Sequence, residues 1–203
     1  MTKASTDVTR GANQFDVPAP SVAPSGAHPA KPPFQPFCGD IDIRIGRDGT
    51  WYYRGSPIGR PALVKLFASV LKRDEAGDYW LVTPAERGRI KVDDAPFTAV
   101  ELTAEGEGRT RSLHFRTNLD ETVTVGADHP IRLCHDPASG EPRPYVLARP
   151  GIGACPGLEA LIVRSVYYQL VEIGVEEPVK GENLYGVWSR GHFFPLGRLD
   201  DRS

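Results

Sequence analysis

The chain has 203 residues, 24 Lys and Arg against 26 Asp and Glu, and 40% hydrophobic content. That suits one globular domain or two small ones, with enough chain to bury a core without disulfides or a structural metal. The balanced charge excludes a general nucleic-acid binder and a polybasic membrane-surface protein, and no apolar run approaches the roughly 18 residues of a membrane span.

Residues 1–36 are rich in Pro, Ala, Ser and Thr and poor in large apolar residues. Such a segment buries too little surface to offset its ordering entropy, so a disordered leader is expected there. Its start leads into no apolar signal core, and Cys38, Cys134 and Cys155 are an odd, scattered set without a Cys-x-x-Cys pair. The expected compartment is the cytoplasm, with reduced thiols. Cys134 and His135 invite a zinc reading, but neighbours on a strand point to opposite faces, and no metal is expected.

Order is expected from Cys38. Ile41, Ile43 and Ile45 alternate with Asp42 and Arg44 as in a half-buried strand. Asp48-Gly49 followed by Trp51-Tyr52-Tyr53 signals a hairpin, because Gly supplies the positive φ of the turn. Pro61 can open a helix whose stripe is Leu63, Val64, Leu66, Phe67, Val70 and Leu71, with Lys72 and Arg73 suiting its negative end. Strands are expected over 79–83, 89–92 and 97–103. Leu113, Phe115, Val123 and Val125 then alternate around an Asn118-Leu119-Asp120 turn. A strand pair over 131–134 and 145–148 follows. Residues 158–173 carry a second apolar helical pattern ended by Gly174, and 184–188 with Phe193-Phe194 close the chain as a hairpin.

The order of these elements recurs. Each half reads as strands, a helix, an aromatic strand, an Arg-Gly turn (Arg87-Gly88, Arg190-Gly191) and another strand. If the second helix starts at Ser165, 158–163 is a strand that completes the match. The expected fold is therefore α+β: two similar subdomains, 38–104 and 105–198, each a small, mainly antiparallel sheet with one principal helix, and a tail over 199–203.

Several stretches carry a family resemblance: Cys38 to Ile45, Arg47 to Tyr53, Gly55 to Arg60, Trp80 to Pro84, Gly88 to Phe97, Phe115 to Asn118, and Gly157 to Ile162. Over about 38–171 the sequence resembles DUF1285, an uncharacterised, mostly proteobacterial family. Ser165 departs from its pattern, which has Pro there. The resemblance implies a two-subdomain α+β fold with repeated motifs and a regulatory or signalling role. It supplies no catalytic residues.

Arg60, Arg87, Arg164 and Arg190 fall at equivalent places in the two halves, beside helix starts or Gly turns, where a guanidinium fork can bind carboxylate or phosphate. Asp93-Asp94, after a strand, suggests a cation or acid–base site, although adjacent aspartates commonly form turns. No nucleophile elbow, His-Glu-x-x-His, P-loop or dinucleotide fingerprint is present, so no cofactor is expected. The aromatic strands read as core rather than as base-stacking platforms. These features describe a binding module that takes a small anionic ligand or a protein partner between its halves. Neither a nucleic-acid nor a membrane partner is expected, and the oligomeric state is open. Two rival readings stay open: an enzyme using Asp93, Asp94 and a histidine, and a module that self-associates through a sheet edge.

Overall fold

A computed structural model describes residues 37–199. The leader expected over 1–36, and all but the first residue of the expected tail, lie outside this range.

The first sheet holds β1 (Phe37–Ile45), β2 (Trp51–Tyr53), β3 (Ser56–Pro57), β4 (Leu71–Arg73), β5 (Tyr79–Val82) and β6 (Arg87–Val92) in the order β3-β2-β1-β6-β5-β4. The pairing of β1 with β6 is parallel and the others are antiparallel. Helix α1 (Pro61–Ser69) links β3 at one edge to β4 at the other. It opens on Pro61 as expected but ends before Leu71. Lys72 and Arg73 are strand residues, because the backbone of Leu71 pairs with Leu81 rather than extending the helix. Phe67 of α1 stacks on the fully buried Trp51 at 6.2 Å, and Ile43, Ile45, Val64, Ala68, Leu81 and Ile90 complete this part of the core.

The second sheet holds β7 (Phe97–Glu105), β8 (Ser112–Thr117), β9 (Thr122–Thr124), β10 (Ile131–His135), β11 (Pro142–Arg149) and β12 (Leu158–Ile162), ordered β10-β11-β12-β7-β8-β9. Helix α2 (Arg164–Glu172) follows, packing over β7 and, in the third sheet, β14. That sheet is a meander of β13 (Val175–Val179), β14 (Glu182–Ser189) and β15 (His192–Arg198). Residues 158–162 are thus a strand, with the helix beginning at Arg164. The segment 97–105, placed above in the first subdomain, is hydrogen-bonded into the second sheet between β12 and β8.

Two similar subdomains result. The first runs meander (β1–β3), helix, meander (β4–β6); the second runs meander (β10–β12), helix, meander (β13–β15), with β7–β9 added. In the first, β1 and β6 pair and make one sheet; their counterparts β10 and β15 touch without forming a ladder. Buried side chains of all three sheets form one continuous cluster.

The recurring turn differs from the expected one. Gly88 lies inside β6, and a Cβ there would come within 2.2 Å of Ile41 Cδ1, so glycine serves close packing rather than a turn. Basic-residue–Gly pairs in left-handed conformation do occur at Arg54-Gly55, Lys180-Gly181 and Arg190-Gly191, each a two-residue hairpin loop. Gly174 likewise makes room for the Tyr185 ring, 2.5 Å from its would-be Cβ.

Candidate functional site

The four arginines singled out from sequence occupy separate places. Arg60 is the exposed N-cap residue of α1. Arg87 opens β6 and lies over the Trp80 ring at 4.8 Å. Arg190 sits in the β14–β15 turn, which is fastened by its N–H donating to the Arg111 carbonyl at 2.7 Å. Arg164 opens α2, and its Nε donates to Tyr168 Oη at 2.8 Å. That hydrogen bond favours the charged form and raises the guanidinium pKa further.

Asp93 and Asp94 lie between β6 and β7, the covalent link from the first sheet to the second. Asp93 pairs with Arg44 of β1. Asp94 turns the other way, to Arg143, and accepts a 2.8 Å hydrogen bond from Tyr145 Oη, both on β11. The two aspartates therefore tie the link to both sheets. Arg143 also reaches Asp136 at 3.4 Å. The Tyr145 phenol is pushed up to about 12, first by burial and then by its bond to Asp94. Over its ring lies the Arg132 guanidinium, at 4.9 Å, itself held by Glu159 through two bonds of 2.9 and 2.8 Å.

Further contacts close the junction. Asn118 accepts from Thr98 N–H at 3.1 Å and donates to the Gly49 carbonyl at 3.2 Å. Lys65 of α1 pairs with Asp120 at 2.7 Å. Arg149 pairs with Glu121, donates to the Ala68 carbonyl at 2.5 Å, and lies over Phe97 at 4.9 Å.

A cleft of about 260 Å³ opens between the β10–β11 hairpin and the start of α2. Pro142, Pro144, Leu161, Val163 and Tyr167 supply an apolar lining; Arg143, Arg164, Tyr168 and Glu141 supply the polar groups. Of the four predicted arginines, Arg164 alone lines it, and all of its lining belongs to the second subdomain, not to a space between the halves. The residue types permit an apolar body to be enclosed while a guanidinium meets an anion at the mouth.

Sequence reasoning missed Arg143, Tyr167 and Tyr168. Arg164 and Tyr168 stand four apart, the spacing of neighbours on a helix surface. Pro142-Arg143-Pro144 marks an arginine on a stiff stretch of backbone.

The candidate acid–base groups do not converge. His114 Nδ1 meets Thr124 Oγ1 at 2.9 Å, and His129 Nδ1 meets the Leu147 carbonyl at 2.8 Å. Cys134 lies against the Arg132 guanidinium. Among the described residues no three His, Cys, Asp or Glu side chains gather as a metal site, and no helix is long and apolar enough to cross a membrane.

Fold and site together define a two-subdomain α+β protein with a repeated meander–helix–meander plan and a small, cation-rimmed cleft in its second half. Two adjoining family models match it: the N-terminal domain of DUF1285 (a domain of unknown function) over residues 30–95, and the DUF1285 C-terminal domain over 96–196. The chain belongs to the DUF1285 family. The models meet within the Asp93–Pro96 link, next to where the first sheet gives way to the second. A crystal structure of a DUF1285 protein from Silicibacter pomeroyi DSS-3 is 45% identical, with a TM-score of 0.74, covering 89% of this chain and 93% of that one. Another, from Shewanella baltica OS155, is 24% identical with a TM-score of 0.48, covering 65% of this chain and 91% of its own. No curated protein matches.

Proposed function

We propose that the protein is a binding module with a regulatory role that takes a small anionic ligand in the cleft between the β10–β11 hairpin and α2. One observation carries this reading: an apolar recess lined in part by Arg164, whose guanidinium, among the described residues, hydrogen-bonds the Tyr168 hydroxyl and no carboxylate. Binding rather than catalysis is favoured because the candidate acids and bases are engaged elsewhere, Asp93 by Arg44 and Asp94 by Arg143 and Tyr145. A module whose two halves share one core can also pass ligand-induced ordering from the cleft to its other surfaces.

A thermal-shift screen of metabolites tests this. A ligand at 100-fold excess over its dissociation constant contributes about 2.7 kcal/mol, a rise of roughly 5–11 °C for a domain of this size. Carboxylates or phosphates should produce such a rise. A library of anions that leaves the melting temperature unmoved would overturn the proposal.

A further inference from the structure

We infer that the cleft selects a small monocarboxylate with an aromatic or branched apolar body, whose carboxylate replaces the Tyr168 hydroxyl on Arg164. This rests on the reading of the cleft as the binding site. Size comes first: about 260 Å³ lies below the ~300–1,000 Å³ of sites for drug-sized ligands, so the cleft suits a compact ligand body. Chemistry of the walls comes second: two prolines, Leu161, Val163 and the Tyr167 ring offer contact to carbon, not to a sugar or a polyphosphate.

Charge decides the head group. Arg143 faces the cleft but is already matched by the carboxylates of Asp94 and Asp136. Glu141 also lines the cleft and interacts with Arg164 across it. Among the described residues the Arg164 hydrogen bond goes to the Tyr168 hydroxyl at 2.8 Å rather than to a carboxylate, so this guanidinium can take one negative charge; a phosphate dianion would add to the charge of Glu141, which already acts on Arg164. Exchanging a phenol acceptor for a carboxylate converts a single hydrogen bond into a bidentate ion pair. Tyr168, 53% exposed, is free to swing aside.

The test is calorimetric titration of the full chain with acetate, phenylacetate, phenylacetamide and inorganic phosphate. Phenylacetate should bind far more tightly than acetate, by roughly three- to fourfold for each methylene-equivalent buried. Phenylacetamide should be at least tenfold weaker. Arg164→Gln should lose phenylacetate binding at least tenfold without a change in melting temperature, because the side chain is exposed. Tyr168→Phe should bind phenylacetate severalfold more tightly, since the carboxylate then has no hydroxyl to displace from Arg164. Phosphate binding that depends on Arg164 and equals or exceeds that of phenylacetate would overturn the ligand class while sparing the cleft. Equal binding of acid and amide, or no gain in Tyr168→Phe, overturns the carboxylate exchange. Failure of all four titrants to bind, or binding indifferent to Arg164→Gln, overturns the cleft reading together with the inference.

Discussion

Replacing Asp94 by alanine should weaken the junction between the two sheets more than any single exposed ion pair of the protein could. The Asp94 side chain is 11% exposed and that of Arg143 23%, so the variant leaves a half-buried guanidinium with only Asp136 at 3.4 Å and strips Tyr145 Oη of its acceptor. Breaking a fully buried pair by removing one partner costs about 3–5 kcal/mol. Partial exposure and the remaining carboxylate reduce this to about 2–3 kcal/mol. In urea, with a slope of ~2 kcal/mol/M, the midpoint should fall by about 1–1.5 M. Asp94→Asn keeps an acceptor for Tyr145 and should cost about half as much. Arg143→Met combined with Asp94→Ala should recover part of the loss, because no half-buried guanidinium is left over and Asp136 keeps its hydrogen bonds from the Ala138 and Ser139 N–H groups. A loss under about 0.5 kcal/mol in Asp94→Ala, or strictly additive effects in the double variant, would refute the assignment of Asp93-Asp94 as the fastening between subdomains.

Gly49→Ala should destabilise by about 2 kcal/mol on denaturant titration, since the residue has φ +80° and a Cβ there would lie 2.6 Å from Asn118 Nδ2; a neutral result would mean the Gly49–Asn118 contact does not hold the halves together. Ser189→Ala should also cost about 2 kcal/mol. Its fully buried hydroxyl accepts from Leu113 N–H at 3.1 Å and donates to the Val125 carbonyl at 2.8 Å, and both backbone groups would be orphaned. Amide exchange at Leu113 should accelerate in that variant, and unchanged exchange counts against the role. The raised Tyr145 pKa gives a pH signature: the folded protein holds the phenolic proton to about 12, whereas an unfolded tyrosine loses it near 10. The associated stability is complete below pH 10 and drains away as pH climbs toward 12. Tyr145→Phe should therefore flatten the alkaline limb of the stability–pH curve, and a limb identical to that of the unaltered protein would contradict the burial and hydrogen bond assigned here.

Local chemistry made much of this legible from residues alone. Alternating Ile41, Ile43 and Ile45, the Asp48-Gly49 turn and the Pro61 helix start depend on neighbours a few positions away, and each was read correctly. The candidate site was less legible. Arg164 could be picked out at a helix start, but the cleft it borders also needs Arg143 and Pro142, some twenty residues earlier and brought close only because β10 and β11 fold back beside β12.

The sequence by itself marked most of the strands, the start of the first helix and the recurrence of their order, because hydrophobic period and turn conformation are properties of short stretches. Tertiary structure alone decided the rest. Leu71 left the helix because Leu81 offered it a ladder partner. The 97–105 strand joined the second sheet because β8 and β12 flank it, and Gly88 proved to be a packing glycine because Ile41 presses on it. Each of these outcomes turns on which distant backbone or side chain arrives alongside, and pairing energy between remote segments has no signature in the local pattern.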